Sequence, residues 1–210
     1  MPTIIDLETW PRRSHFEYFK NFEQPFLDVC ARVDVTELTR QSREAGESLF
    51  GNMLYLVMAA VNDVPELRQR IDGDEVVVHE RVHPSFTVLT DDEAINFCPA
   101  SFIDDRLQFL EEIRRRVDGI RRNNQLYLDE DSRPDLVFVT SLPWIDFQSL
   151  RHPWAGHEAH QSDDSTPRVA WGKIVERGDR FEVSVQLTAH HGLVDGLHVA
   201  RFFEKLNSWP

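Results

Sequence analysis

The segment FEVSVQLTAHHGLVDGLHVARFFEKLN, residues 181–207, constrains the fold more than any other stretch of the chain. Phe181, Val183, Val185, Leu187 and Ala189 recur at a period of two, which places them on one face of an extended strand. A few residues later the chain turns helical, from Asp195 to about Asn207, with Asp195 as a ready N-cap. His191 continues the apolar face and is expected to point inward as a partly desolvated imidazole. His190 points the other way. Gly196, directly after the aspartate, would allow close backbone approach. A core histidine beside an ordinary helix cap explains each residue singly. A general base poised near neutral pH explains why the histidine, the carboxylate and the glycine coincide at one strand-to-helix junction.

The rest of the chain alternates strands with helices. TWPRRSHFEYFKNF reads as a short helix opened by Pro11, which suits a first helical turn. FLDVCARVDV reads as a strand, and DVTELTRQSREAG as a helix capped by Thr36 or Asp34. LFGNMLYLVMAAVNDV carries Leu49, Met53, Leu56, Val57 and Ala60 at helical spacing and is predicted to be buried. EVVVHERV and SFTVLT are predicted strands. DDRLQFLEEIRRRVDGIRRNN is an amphipathic helix, acidic at its start and basic at its end, as the helix dipole prefers. DLVFVTSLPWIDF is a buried-type strand halted by Pro143, and residues 168–191 form a hairpin turning through Glu176–Arg180. This interleaving predicts an α/β sandwich of sheet and helices, and 210 residues suit a single domain, 1–210.

Charge and cysteine content narrow the function. Acidic residues outnumber basic ones 36 to 23, a net charge of −13, which disfavours nucleic acid and anionic membrane as partners. No apolar run approaches the length of a membrane span, and the N-terminus lacks a signal-peptide pattern. Cys30 and Cys98 lie in mostly apolar stretches and read as reduced, buried thiols of a cytoplasmic protein. The irregular stretch 149–167 is long for a plain connection. Its His157, His160, Asp163 and Asp164 could gather on a metal, but their spacing fits no zinc signature, and no metal is expected. His190 and His198 read as structural or surface groups.

Several motifs together resemble one family. HGLVDG is similar to the His-x-x-x-Asp-Gly signature of the chloramphenicol acetyltransferases, shared more distantly by dihydrolipoyl acyltransferases and peptide-synthetase condensation domains. WPRRSHFEYF resembles that family's Trp-x-Arg-x-x-His-Phe opening. HPSFTV, SLPWIDF and HHGLVDGLHVARFFEKL resemble its later segments, in the same order along nearly the whole chain.

The resemblance implies a coenzyme A-dependent acyltransferase fold, a two-layer sandwich of mixed β-sheet and helices. It implies a homotrimer with active sites between subunits, and direct transfer of acetyl from acetyl-CoA to an acceptor hydroxyl. In it His191 is the general base, and Asp195 pairs with Arg12 rather than with the histidine. The oxyanion donor falls on Thr140 where the family has serine, with Ser141 the fallback. Lys173 and Trp144 fall to the cofactor, and Phe19 and Thr87 to the acceptor. A second cofactor lysine near Ser48 is missing, and Ala170 and Arg168 replace a threonine and an apolar pocket residue. Arg168 inside the pocket would suit an anionic acceptor; outside it, the residue says nothing about acceptors. Beside chloramphenicol-like acetylation stand two other readings, the same chemistry on a different acceptor and a catalytically weak trimeric binding or scaffold protein.

Overall fold

A computed structural model describes residues 2–121, 133–153 and 164–209. In chain order the elements are β1 (Thr3–Ile4), α1 (Arg13–Phe19), β2 (Phe26–Asp34), α2 (Thr36–Ala45) and α3 (Leu49–Asp63). A short 3-10 turn (Pro65–Arg68) leads to β3 (Gln69–Asp72), β4 (Glu75–Val78), β5 (His83–Leu89), β6 (Ile95–Pro99) and α4 (Arg106–Arg121). Then follow β7 (Leu136–Ser141), β8 (Arg168–Trp171), β9 (Val175–Arg177), β10 (Arg180–His190) and α5 (Gly196–Leu206). The main sheet runs β2-β10-β8-β7-β5-β6, with β9 paired to β10, and β1-β4-β3 form a small second sheet. Strands β5, β7 and β8 are parallel neighbours, whereas β10 runs antiparallel to β8 and β2. The mixed sheet with helices is the predicted α/β class. Strands β1, β3 and β6 were not legible, being two to five residues long.

The alternation of β10 does its expected work on one face. Val183, Val185, Leu187 and Ala189 join Val169, Trp171, Val137, Val139, Phe86 and Val88 in a core against the helices. Helix α3 is the centre of that layer: Met53, Leu54, Val57, Met58 and Val61 are all at most 1% exposed, and the helix packs against α2, α4 and α5. Ser48 caps it by accepting the Gly51 N–H at 3.1 Å, which satisfies one of the donors that a helix start leaves open.

The opposite face departs from expectation. Ser184, Gln186, Thr188 and His190 were expected to point away from the core, yet all are buried. Each has a partner that makes burial tolerable. Gln186 accepts the Leu150 N–H at 2.6 Å and donates to the Leu150 carbonyl. Thr188 donates to Asp28, and His190 Nδ1 accepts the Gly192 N–H at 3.1 Å. His190 is therefore structural rather than superficial. Two smaller expectations also need correction. Cys98 is buried but Cys30 is only half-buried, lining a cavity of about 290 Å³ with Gln24, Phe26, Asp28 and Gln186. Helix α2 begins after Val35 with no side-chain cap; Asp34 accepts the Thr36 N–H, while the Thr36 hydroxyl accepts the Phe181 N–H. No helix among the described residues is long and apolar enough to cross a membrane.

Burial holds several imidazoles below their ordinary value, His79, His83 and His198 among them. The effect is large at His152, pushed to about 4 by burial and by the nearby Arg168 charge; its ring nitrogens have no hydrogen-bond partner among the described residues. An unfolded histidine takes its proton near 6.5, the folded His152 only near 4. Stability from this group is therefore intact above pH 6.5 and declines as pH falls toward 4. Thermal melts across that range are expected to show a falling Tm in the wild type and a shallower fall in His152→Gln; equal slopes would refute the assignment.

Candidate active site

The strand-to-helix junction is built around one peptide. Strand β10 ends at His190, where pairing with Phe26 of β2 stops. His191 then donates its backbone N–H to the Pro25 carbonyl at 2.6 Å, and its half-buried ring stacks on Phe19 of α1 at 4.2 Å and 20°. His191 Nδ1 lies 3.0 Å from the Val194 carbonyl. A carbonyl only accepts, so Nδ1 carries the hydrogen and the neutral ring presents a bare lone pair at Nε2. Nε2 has no hydrogen-bond partner among the described residues.

The tight turn that permits this depends on Gly192. A Cβ there would lie 3.0 Å from the His190 ring and 3.3 Å from the Phe16 backbone. Around Gly196, by contrast, a Cβ would meet nothing within 4 Å. The close approach expected after the aspartate therefore falls before it. The two glycines of the junction look alike in sequence, and only packing separates them.

Asp195 does two jobs. Its Oδ1 caps α5 by accepting the Leu197 N–H at 3.0 Å, and its Oδ2 pairs with the Arg12 guanidinium. Arg12 also donates to the His191 carbonyl at 3.2 Å. The predicted Arg12–Asp195 pair is thus formed, and it reaches the backbone of the histidine. Partial burial works to raise the Asp195 carboxyl, but the hydrogen bonds from Arg12 and Leu197 outweigh it and hold the group below its ordinary range. His198, buried on the first turn of α5, completes a capping box by accepting the Asp195 N–H at 3.0 Å. Burial lowers its imidazole against the raising effect of Glu66 and Asp195. Sequence reasoning passed over His198, although Asp-x-x-His has the spacing of a capping box.

The other predicted residues lie elsewhere. Thr140 at the end of β7 and Thr87 on β5 are half-buried. Thr140 sits beside Ala170 of β8, which pairs with Gln186 of β10. It is therefore two strands across and five residues back from His191, roughly 20 Å away at strand spacings. Ser141 alternates to the helix-covered side of β7. Beyond β7 the exposed Trp144 approaches the β8–β9 connection, where the Lys173 N–H donates to the Ile145 carbonyl at 2.8 Å. Gly172 is required there, since a Cβ would lie 2.6 Å from that carbonyl. These residues thus fall into two groups at opposite ends of the sheet. Arg12, Phe19, His191 and Asp195 form one; Thr87, Thr140, Trp144 and Lys173 form the other.

Arg168 is buried at the start of β8, beside Phe138 and Thr188. It donates to Asp164 at 2.6 Å and to the Thr166 carbonyl at 3.1 Å, and its guanidinium lies over the Phe138 ring. Its charge is offset within the chain. Asp164 is thereby engaged, and His157, His160 and Asp163 lie outside the described residues.

Comparison with known proteins bears on nearly the whole chain. The chloramphenicol acetyltransferase family pattern matches residues 2–207. The chain belongs to the chloramphenicol acetyltransferase family. Chloramphenicol acetyltransferase 3 of Escherichia coli is 27% identical over 205 residues, covering 97% of this chain and 94% of that one. Chloramphenicol acetyltransferase 2 of Haemophilus influenzae is 25% identical, with 97% and 94% covered. A solved chloramphenicol acetyltransferase superimposes with a TM-score of 0.88 at 28% identity, covering 99% of this chain and 98% of that one. The truncated catalytic core of a 2-oxoacid dehydrogenase multienzyme complex from Thermoplasma acidophilum shares the fold at a TM-score of 0.65 and 20% identity. The family makes the chain an acyltransferase, and the two-layer acyltransferase fold is the one observed.

The Arg12–Asp195 pair supports the His191 backbone, so breaking it should cost activity and stability together. Asp195→Asn keeps a capping oxygen but strands the Arg12 charge, and Arg12→Val strands the carboxylate. Each is expected to cost about 1–3 kcal/mol of stability and to lower turnover. Because the Asp195 carboxyl is held low, its contribution is present above the ordinary carboxylate range and is lost only as pH falls through its folded value. Chemical denaturation of both variants at neutral pH is the check; unchanged stability in both would show that the pair supports nothing.

Proposed function

We propose that this chain is an acetyl-CoA-dependent O-acetyltransferase that works as a homotrimer, with His191 of one copy as general base and Thr140 of the next as oxyanion donor. One observation carries the reading. The bare Nε2 of His191 and the Thr140 hydroxyl stand at opposite ends of one sheet, so only a neighbouring copy can complete the site. Closed cyclic symmetry provides that arrangement.

The chemistry follows from the groups present. Nε2 takes the proton of the acceptor hydroxyl as its oxygen attacks the thioester carbonyl. The developing oxyanion accepts the Thr140 O–H, a donor of a kind worth about 3 kcal/mol. Collapse breaks the carbon–sulfur bond, and the thiolate leaves with the proton returned from Nε2. A thiol of pKa about 8.5 is a ready leaving group, so no acyl-enzyme is needed. Phe19 fixes the plane of the imidazole. Lys173 and Trp144, held together through Ile145, supply a cation and an aromatic face for the phosphate and adenine ends of coenzyme A. Thr87, on the same sheet face as Thr140, lines the acceptor side.

For the acceptor we propose chloramphenicol or another small, uncharged alcohol. Arg168 would have favoured an anion had it been free, but Asp164 offsets its charge. Thiol release from acetyl-CoA with chloramphenicol is expected, with a carboxylated alcohol of similar size giving less. His191→Ala and Thr140→Val are each expected to lose about 100-fold or more. Coexpressed, the two variants should regain roughly a quarter of wild-type activity, since about that share of all interfaces pairs intact halves. No regain, or a monomer in solution, would sink the shared site. Acetyl-CoA binding without transfer to any alcohol would instead mark a binding protein.

A further inference from the structure

The peptide between Val194 and Asp195 is held from both sides. Its carbonyl receives Nδ1–H of His191, and its N–H is received by Nδ1 of His198 at 3.0 Å. A trans peptide points these two groups in opposite directions, so one rigid plane joins the two imidazoles. We propose that His198 is a positioning residue for His191, acting through the Val194–Asp195 peptide to hold and polarise the carbonyl that grips the base. The proposal rests on His191 being the general base.

Three observations support it. Glu or Gln ordinarily fills this place in a capping box, whereas the buried imidazole here is fixed at both ends. With Nδ1 accepting, the ring hydrogen lies on Nε2, which faces Glu66 Oε1 at 3.5 Å on the 3-10 turn after α3. The turn thus anchors His198, His198 anchors the peptide, and the peptide orients His191. Hydrogen bonds in series also strengthen one another. Accepting the N–H therefore makes the Val194 carbonyl a better acceptor for Nδ1–H just as His191 becomes charged.

The charged groups around His198 define its dependence on acid. They are Glu66 on the turn, Asp195 at the helix cap, Arg12 before α1 and Arg201 on α5. Protonation would turn Nδ1 into a donor toward Asp195 Oδ1, 3.3 Å away, and would release the peptide N–H.

Two readouts test the proposal on the whole protein. Nitrogen NMR of histidine-labelled protein without substrate should show His191 with its hydrogen on Nδ1 and His198 with its hydrogen on Nε2. In His198→Ala the His191 Nδ1 signal should shift as its hydrogen bond to the Val194 carbonyl weakens, and His198→Gln, which keeps an acceptor, should restore it. Steady-state kinetics should show kcat about tenfold lower in His198→Ala, with KM for acetyl-CoA unchanged and kcat recovered in His198→Gln. A hydrogen on His198 Nδ1, or a His191 Nδ1 signal indifferent to position 198, would overturn the proposal. If the NMR shifts appear but His191→Ala keeps full activity, the failure lies with His191 as the base.

Discussion

The ion pair between Arg12 and Asp195 joins residues 183 positions apart, and the catalytic end of the molecule depends on it. Arg12 stands at the entry to α1 and Asp195 at the entry to α5. Pairing them fixes the first helix against the last. It also brings Phe19 onto the His191 ring and Arg12 onto the His191 carbonyl. A carboxylate that only capped α5 could sit on any surface helix. One that also neutralises a largely buried guanidinium sets the geometry of the turn before it. Such pairs add little net stability over an apolar substitute, but losing one partner is costly.

The sheet explains why His191 and Thr140 stand far apart within one copy. Strand β10 runs antiparallel to the parallel trio β5, β7 and β8. Its C-terminal end therefore lies at the N-terminal ends of the other three. A residue following β10 and a residue closing β7 must then sit far apart. The separation of His191 from Thr140 is a consequence of strand direction. It makes a shared site between copies an economical solution to assembling base, donor and cofactor groups.

Much of the junction was legible in the chain. The change from period two to helical spacing located the end of β10 and the start of α5 within a residue. The Arg12–Asp195 pairing and the fold class followed from the order of several motifs. What was not legible had physical reasons. The second face of β10 reads as polar, yet it is buried, because the 149–150 backbone and Asp28 supply its hydrogen-bond partners. From the sequence Arg168 could stand inside or outside a pocket, and it is Asp164, four residues earlier, that takes its charge. His198 could be read only as a structural or surface group, because a histidine is an unusual choice for the third turn position of a capping box. Gly196 drew attention where Gly192 bears the steric constraint.

By itself, then, the sequence determined what depends on local order: which segments are strands and helices, where β10 gives way to α5, and which residue types carry the chemistry. Those follow from side-chain period, capping and motif spacing, all written along the chain. Tertiary structure alone decided which polar groups are satisfied, which charges are spent within the chain and which histidine nitrogen is bare. It also decided that His191 and Thr140 lie at opposite ends of the sheet. These depend on strand direction and on partners distant in sequence, and no local pattern encodes either.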